Sequence, residues 1–355
     1  MTKIINQIKR NPIKFDTVEL FSMFAKEYDF NLNSSDDIDK FTLELNKSLK
    51  QNINPILLYG KRIEKSFAHI VSSLGQCKMI KQEDAGLVFI NEDILIPDYR
   101  ILLNDGMQFL VEVKNYNQKN PNKDYVMKNE NYSKYLNYSK LMNLPLYFAI
   151  YWTKLRRWTL IKYDKFKIVD SFSSISIEDA LRNNEMSILG DYLIGTKPPL
   201  KLKLYANKSK ERKIIGSECN FMIDKMELYS DSKIIKDIEE QSIVWNLMLF
   251  GEWNNTIRAV LENNSDLIDY IEYIFLPDDY NINKNFYPIA YASGIITNQF
   301  FFSTSTKDGK LKNITPVGFD YNFGINISKT YKKKDLPLWI FHIIAEGNNS
   351  NNTLF

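Results

Sequence analysis

Histidine and cysteine are nearly absent from this 355-residue chain, which has two of each. Cys77 and Cys219 stand far apart, so no disulfide framework exists, and with only His69 and His342 beside them there is no zinc-ligand spacing either. A Cys/His or Ser/His nucleophile pair would need a histidine placed to act as base. His69 falls on the polar side of an amphipathic helical pattern, and His342 lies in the apolar stretch "LPLWIFHIIAEG", where a core or boundary position is the ordinary reading. Long apolar runs are missing too. The longest, such as "LPLYFAIYW" from Leu144 to Trp152, fall short of the roughly 20 residues that a membrane-spanning helix requires. The N-terminal "MTKIINQIKRNPIK" is charged and lacks the apolar centre of a signal peptide. A cytoplasmic protein with no membrane partner is the expectation. Charge of one sign is also lacking: 46 Lys+Arg against 43 Asp+Glu leave a formal net charge of +3. A surface for nucleic acid therefore has to come from local clustering.

What is present supports a large core. At 44% hydrophobic and 25% charged residues the chain reads as globular, with length for two or three domains. Residues 1–55 read as a helical N-terminal segment, with helices at "DTVELFSMFAKEY" and "SDDIDKFTLELNKSLKQ", the second capped by Ser35. Residues 56–198 alternate helix, strand, hairpin, helix, strand and strand: "GKRIEKSFAHIVSSLG", "GLVFI", "ILIPDYRILLNDGMQFLVEVKNY", "ENYSKYLNYSKLMN", "LPLYFAIYW" and "WTLIKY". That order predicts an α/β unit with helices flanking a mixed sheet. Pro198-Pro199 marks a boundary to an accessory α+β region, 199–355. It opens on the lysine-rich strand pattern "LKLKLYANKSKERKII". Two helical patterns follow, "IIKDIEEQSIVWNLMLFGEW" and "NNTIRAVLENNSDLIDYIEYIF", then mixed strands. These helices and a turn at Asp308-Gly309 fit a winged helix-turn-helix, or equally a dimerisation or sensor domain. Phe300-Phe301-Phe302 reads as core, and the tail "EGNNSNNTLF" as frayed.

The hairpin carries the chemistry. Alternation along its second strand sends Phe109, Val111 and Val113 one way and Leu110, Glu112 and Lys114 the other. A three-residue loop, Asn104 to Gly106, would pair Leu103 with Met107 and bring Asp98 opposite Glu112. A two-residue turn at Asp105-Gly106 would instead oppose Asp98 to Val113. In the first register Asp98, Glu112 and Lys114 share a face. Two facing carboxylates repel unless a cation lies between them. Mg²⁺, which takes hard oxygen ligands and is held by one or two carboxylates plus phosphate, fits that need, and a lysine beside it can orient water or stabilise a charged phosphate. The alternative is an acid pair on a solvated sheet face, neutralised by a lysine.

Pro97-Asp98 followed by Glu112-Val113-Lys114 resembles the PD-(D/E)XK nuclease superfamily, which carries Pro-Asp and then acid-X-Lys on a β-hairpin. The resemblance covers residues 55 to 200. It implies a restriction-endonuclease-like fold that cleaves phosphodiesters with Mg²⁺, or Mn²⁺ as substitute. By it, Asp98, Glu112 and the carbonyl of Val113 bind the ion, Lys114 acts on water or phosphate, and Glu64 on the preceding helix contributes a further contact. Glu64 lies at the edge of the stripe Ile63, Phe67, Ile70, Val71 and Leu74, where an ordinary boundary glutamate is the alternative. Asn131 and Tyr135 are candidates on the following helix, with packing as the other role for the tyrosine. The runs "KSKERK" at 208–213 and "KTYKKK" at 329–334 are candidates for a basic track along a duplex, and "TKLRRWTLIKYDKFK" for phosphate contacts or a solvated strand edge. The expected partner is double-stranded DNA, with a homodimer open. Restriction or anti-phage defence is the expected role; repair or junction resolution, and a non-catalytic binding protein, are the alternatives.

Overall fold

The computed structural model describes residues 16–83, 88–118, 120, 123–216, 218–263, 265–317, 323–328 and 330–345. The chain opens with α1 (Asp16–Tyr28), α2 (Ser35–Asn52) and α3 (Pro55–Leu74). Both predicted N-terminal helices form. The cap of α2 is Ser34 rather than Ser35, its side chain accepting from the Asp37 N–H. Asn54 caps α3 ahead of Pro55, and Gly75 ends it in a left-handed conformation.

There follow β1 (Cys77–Gln82), β2 (Tyr99–Leu103), β3 (Gln108–Tyr116), β4 (Tyr125–Lys128), α4 (Asn129–Met142), β5 (Leu146–Trp152) and β6 (Arg157–Lys162). The strand expected at "GLVFI" is not formed. Val88–Ile90 is irregular with Phe89 exposed, Gly86 and Leu87 lie outside the described residues, and Cys77–Gln82 takes the place beside β2. The sheet is mixed α/β in the order β1-β2-β3-β5-β6, with β3 and β5 parallel and the other pairs antiparallel. The parallel pair needs a crossover, which β4 and α4 supply. On one sheet face Phe67 and Ile70 of α3 pack on Phe109, Val111, Tyr147 and Leu160. On the other, Tyr132 and Tyr135 of α4 cover Leu110, Phe148 and Ile161.

The remaining elements are β7 (Lys167–Val169), β8 (Phe172–Ile175), α5 (Ile177–Arg182), β9 (Leu193–Thr196), β10 (Leu200–Ala206), β11 (Arg212–Ile215), β12 (Glu218–Phe221), β13 (Ile223–Ser230), β14 (Lys233–Ile234), α6 (Ile238–Phe250), β15 (Asn254–Leu261), β16 (Ile268–Leu276), β17 (Tyr287–Tyr291), α7 (Ala292–Ser303) and β18 (Leu338–Phe341). A second sheet, β14-β13-β10-β16-β15, is antiparallel throughout and packs its Leu200, Leu202 and Phe275 on Val244, Leu247 and Met248 of α6.

This corrects the second helical pattern of that region: "NNTIRAVLENNSDLIDYIEYIF" is the β15–β16 hairpin. Its β-branched and aromatic residues favour a pleated surface, and the Glu262 N–H donates to the Leu267 carbonyl at 2.9 Å where the two strands join. The winged helix-turn-helix reading falls with it. The turn at Asp308-Gly309 does form, between the bridged residues Ser305 and Leu311.

Helix α7 reaches back to the first sheet, where Ile296 and Phe300 join the α3 core and the Trp158 indole donates to Thr297 at 2.9 Å. It also covers His69. The imidazole packs on Phe300 and Phe323 and is not on a free polar face; burial pushes its pKa down to about 4. Among the described residues no helix is long and apolar enough to cross a membrane.

Candidate active site

The β2–β3 hairpin sets the geometry. Leu103 N–H donates to Met107 at 2.9 Å and Gly106 N–H to Leu103 at 3.1 Å, which closes a three-residue loop with Gly106 at φ 94°. The ladder runs Leu102↔Gln108, Ile101↔Phe109, Arg100↔Leu110 and Tyr99↔Val111. One step further brings Asp98, just ahead of β2, to the level of Glu112. The Val113 N–H donates to Asp98 Oδ2 at 2.8 Å. Asp98 is half-buried and Glu112 is buried. Glu112 Oε1 accepts both the Lys114 ammonium and, at 2.6 Å, the Tyr135 hydroxyl from α4. The ammonium lies 5.5 Å from the centre of the Tyr135 ring.

Glu64 comes from α3, which covers the opposite sheet face, and it is buried. Its carboxylate pairs with Lys61 at 2.6 Å, one turn earlier, and its backbone carbonyl accepts the Tyr99 hydroxyl at 3.2 Å. That bond ties α3 to the residue next to Asp98. The Asp98 carboxyl is pushed up to about 8 by burial first, then by the negative charges of Glu112 and Glu64; the Val113 N–H and Lys114 oppose this. Burial and the Glu112 charge hold the Tyr135 phenol well above its ordinary range, so it stays a donor.

The structure thus forms two hydrogen-bonded pairs, Asp98 with the Val113 N–H and Glu112 with Lys114, and the Glu112 and Glu64 charges both act on Asp98. Among the described residues no group of three or more His, Cys, Asp or Glu side chains is arranged to hold a metal ion. A site of two carboxylates completed by water and phosphate is the relevant comparison for Mg²⁺. The donors are hard oxygens, and burial first, then the negative charges of Glu112 and Glu64, lift Asp98, which suits a cation beside it. Asn131 is exposed in the first turn of α4.

Sequence reasoning missed a second polar group beside the first. Glu83 pairs with Arg100 and accepts the Tyr138 hydroxyl at 2.7 Å, while its N–H donates to the Asp98 carbonyl at 2.8 Å. Glu83 lies beyond the strand pattern that sequence placed here, so nothing in its spacing pointed to Asp98.

The basic runs are largely neutralised. Lys208 pairs with Glu262 and Asp269, Arg212 is buried against Glu262, Lys213 pairs with Glu211, and Lys334 pairs with Asp237. Lys332 and Lys333 are exposed, and Lys329 lies outside the described residues. In the 153–167 run, Trp158 is core and Arg157 pairs with Glu252.

No family model and no curated protein matches the chain. Among solved structures the chain is similar to Hjc, a Holliday junction resolvase from the archaeal hyperthermophile Archaeoglobus fulgidus, at 11% identity over 26% of this chain and 77% of that one, with a TM-score of 0.21.

Proposed function

We propose that the chain is a Mg²⁺-dependent endonuclease that hydrolyses DNA phosphodiester bonds, with Mn²⁺ as a substitute ion. The observation that carries this reading is the bond from Val113 N–H to Asp98 Oδ2, which fixes one carboxylate at the level of Glu112 with the Lys114 ammonium alongside. Asp98, Glu112 and the carbonyl of Val113 would hold the ion, with Glu64 adding negative charge nearby. When bound, the ion supplies Lewis-acid polarisation of the phosphate and a more acidic water. The chain's own residues do the rest. The Val113 N–H and the Tyr135 hydroxyl hold the two carboxylates in place, and the partly exposed Lys114 ammonium can turn from Glu112 to a water or a phosphate oxygen, where it stabilises developing charge.

The domain reading belongs to the same proposal: residues 56–198 carry the site, 1–55 form a helical segment, and 199–355 serve recognition, dimerisation or regulation, with α7 lent to the first core. Restriction or anti-phage defence is the role we attach to it, since such roles need a cleavage unit joined to a recognition unit; repair or junction resolution is the sibling role. A second reading, a non-catalytic nucleic-acid-binding protein on this fold, is favoured by Glu112 Oε1, which already has two donors within the chain.

The test is cleavage of supercoiled and linear DNA, and of RNA, with Mg²⁺ or Mn²⁺ present or chelated. Asp98→Ala and Glu112→Ala are expected to abolish cleavage, and Lys114→Ala to slow it by about 10²–10³ without loss of DNA binding. Wild-type rates for Glu112→Ala and Lys114→Ala together would hand the site to the second reading.

A further inference from the structure

The second sheet has two unlike faces. Along β10, Leu200, Leu202 and Leu204 turn to α6, so Lys201, Lys203 and Tyr205 turn to the other side. Register then fixes their neighbours. Tyr205 stands between Lys225 of β13 and Tyr270 of β16, Lys203 between Glu227 and Glu272, and Lys201 between Tyr229 and Ile274. β15 adds Arg258 next to Glu272. The Tyr205 and Tyr270 ring centres are 5.2 Å apart. The Lys225 ammonium lies 4.4 Å from the centre of Tyr205, and that of Lys203 lies 4.6 Å from Tyr270 and 5.1 Å from Tyr229.

The acids of this face are spent within it. Glu272 is buried beneath Arg258 at 2.6 Å and Lys203 at 3.7 Å, and Glu227 takes the Tyr229 hydroxyl at 2.6 Å and Lys225 at 2.9 Å. Four cations (Lys201, Lys203, Lys225, Arg258) against two carboxylates leave a net charge of +2 on the face. Tyr205, Tyr229 and Tyr270 are half-buried, each with a lysine ammonium beside its ring.

We propose that this face binds single-stranded nucleic acid, with bases stacked on Tyr205, Tyr229 and Tyr270 and phosphates held by Lys201, Lys225 and Arg258. A polyanion suits the charge, and unpaired bases suit the rings, because base–aromatic stacking is sequence-tolerant and works only on bases that are not already stacked in a duplex. An acidic protein would engage the cations and leave the rings without a role. The ammonium over Tyr205 does not block that ring: Lys225 is 56% exposed, and its four-carbon stem lets the head move to a phosphate as a base takes the ring, whereas Lys203, lying between Tyr229 and Tyr270 and paired with Glu272, stays in place and leaves those two rings their outer edges. This goes beyond the proposed hydrolysis and stands without it, since binding here uses neither Asp98 nor a metal.

The experiment is fluorescence anisotropy of a labelled oligothymidylate on the full chain in chelator, with a duplex as comparison and thermal melting as the folding control. The single strand is expected to bind more tightly than the duplex. Tyr205→Ala and Tyr270→Ala should each weaken it by about tenfold, while the Phe variants, which keep the ring, stay near wild type. Lys201→Ala should lower the slope of log affinity against log salt by about 0.7, the value for one phosphate contact on a single strand. Absence of single-strand binding, wild-type affinity in folded Tyr→Ala proteins, or equal binding of duplex would overturn the proposal. If the Ala variants do not fold, an unchanged salt slope in Lys201→Ala overturns it.

Discussion

The Tyr135 hydroxyl donates to Glu112 Oε1 at 2.6 Å from a helix that lies across the sheet from α3. The bond makes α4 part of the site. Partners that orient a ligating carboxylate typically contribute about 10–100-fold in affinity or activity. Tyr135→Phe keeps the packing on Phe148 and removes only this bond. It is expected to raise the Mg²⁺ concentration for half-maximal cleavage by about tenfold, which a metal titration at fixed DNA measures.

Burial first and the Glu112 charge second lift Asp98, and a cation between the two carboxylates would relieve both. Added Mg²⁺ should therefore raise the melting temperature, and chelator should lower it, even without DNA. Asp98→Ala should lose this metal response while remaining folded. Calorimetry of both proteins with and without the ion reads it directly; an equal response in the variant would place metal binding elsewhere.

Asp191 gives a pH signature away from the site. It is buried and accepts the Ser293 N–H at 2.9 Å and hydroxyl at 2.6 Å, and burial pushes its carboxyl up to about 6. The folded state then holds a proton that the unfolded chain releases from about pH 4 upward, so stability falls as pH rises toward 6. A carboxyl raised from 3.8 to about 6 loses about 3 kcal/mol in that window. Asp191→Asn removes this dependence. The stability of wild type relative to the variant, from urea midpoints, should drop between pH 4 and 6 and be level above pH 7.

Gly106 sits at φ 94° with open space around its Cβ position, so a substitution there meets backbone strain and no steric neighbour. Gly106→Ala is expected to cost about 1–2 kcal/mol in urea unfolding and to keep the register, since Phe109 and Val111 remain in the core. A cleavage rate per folded molecule equal to wild type would accompany it.

Sequence alone determined the local pieces. The alternation of Phe109, Val111 and Val113 against Leu110, Glu112 and Lys114 is written in the period of a strand, while the glycine in "NDG" allows two loop lengths, and the pairing of β2 with β3 decided for the three-residue loop that brings Asp98 to the level of Glu112. α2 and α3 were legible from their caps and helical period, and β5 from its short continuous apolar run. Tertiary structure decided what no local pattern contains. The apolar residues of "NNTIRAVLENNSDLIDYIEYIF" satisfy helical and strand spacing alike, and pairing of β16 with β10 made it a hairpin. His69 reads as polar-facing on its own helix, yet Phe300 of α7, more than two hundred residues on, packs against its ring and leaves it half-buried. The Tyr135–Glu112 bond, the Glu83–Asp98 contact and the Tyr205–Tyr270 pair each join segments far apart in the chain, and burial of a charge depends on what covers it rather than on its neighbours in sequence.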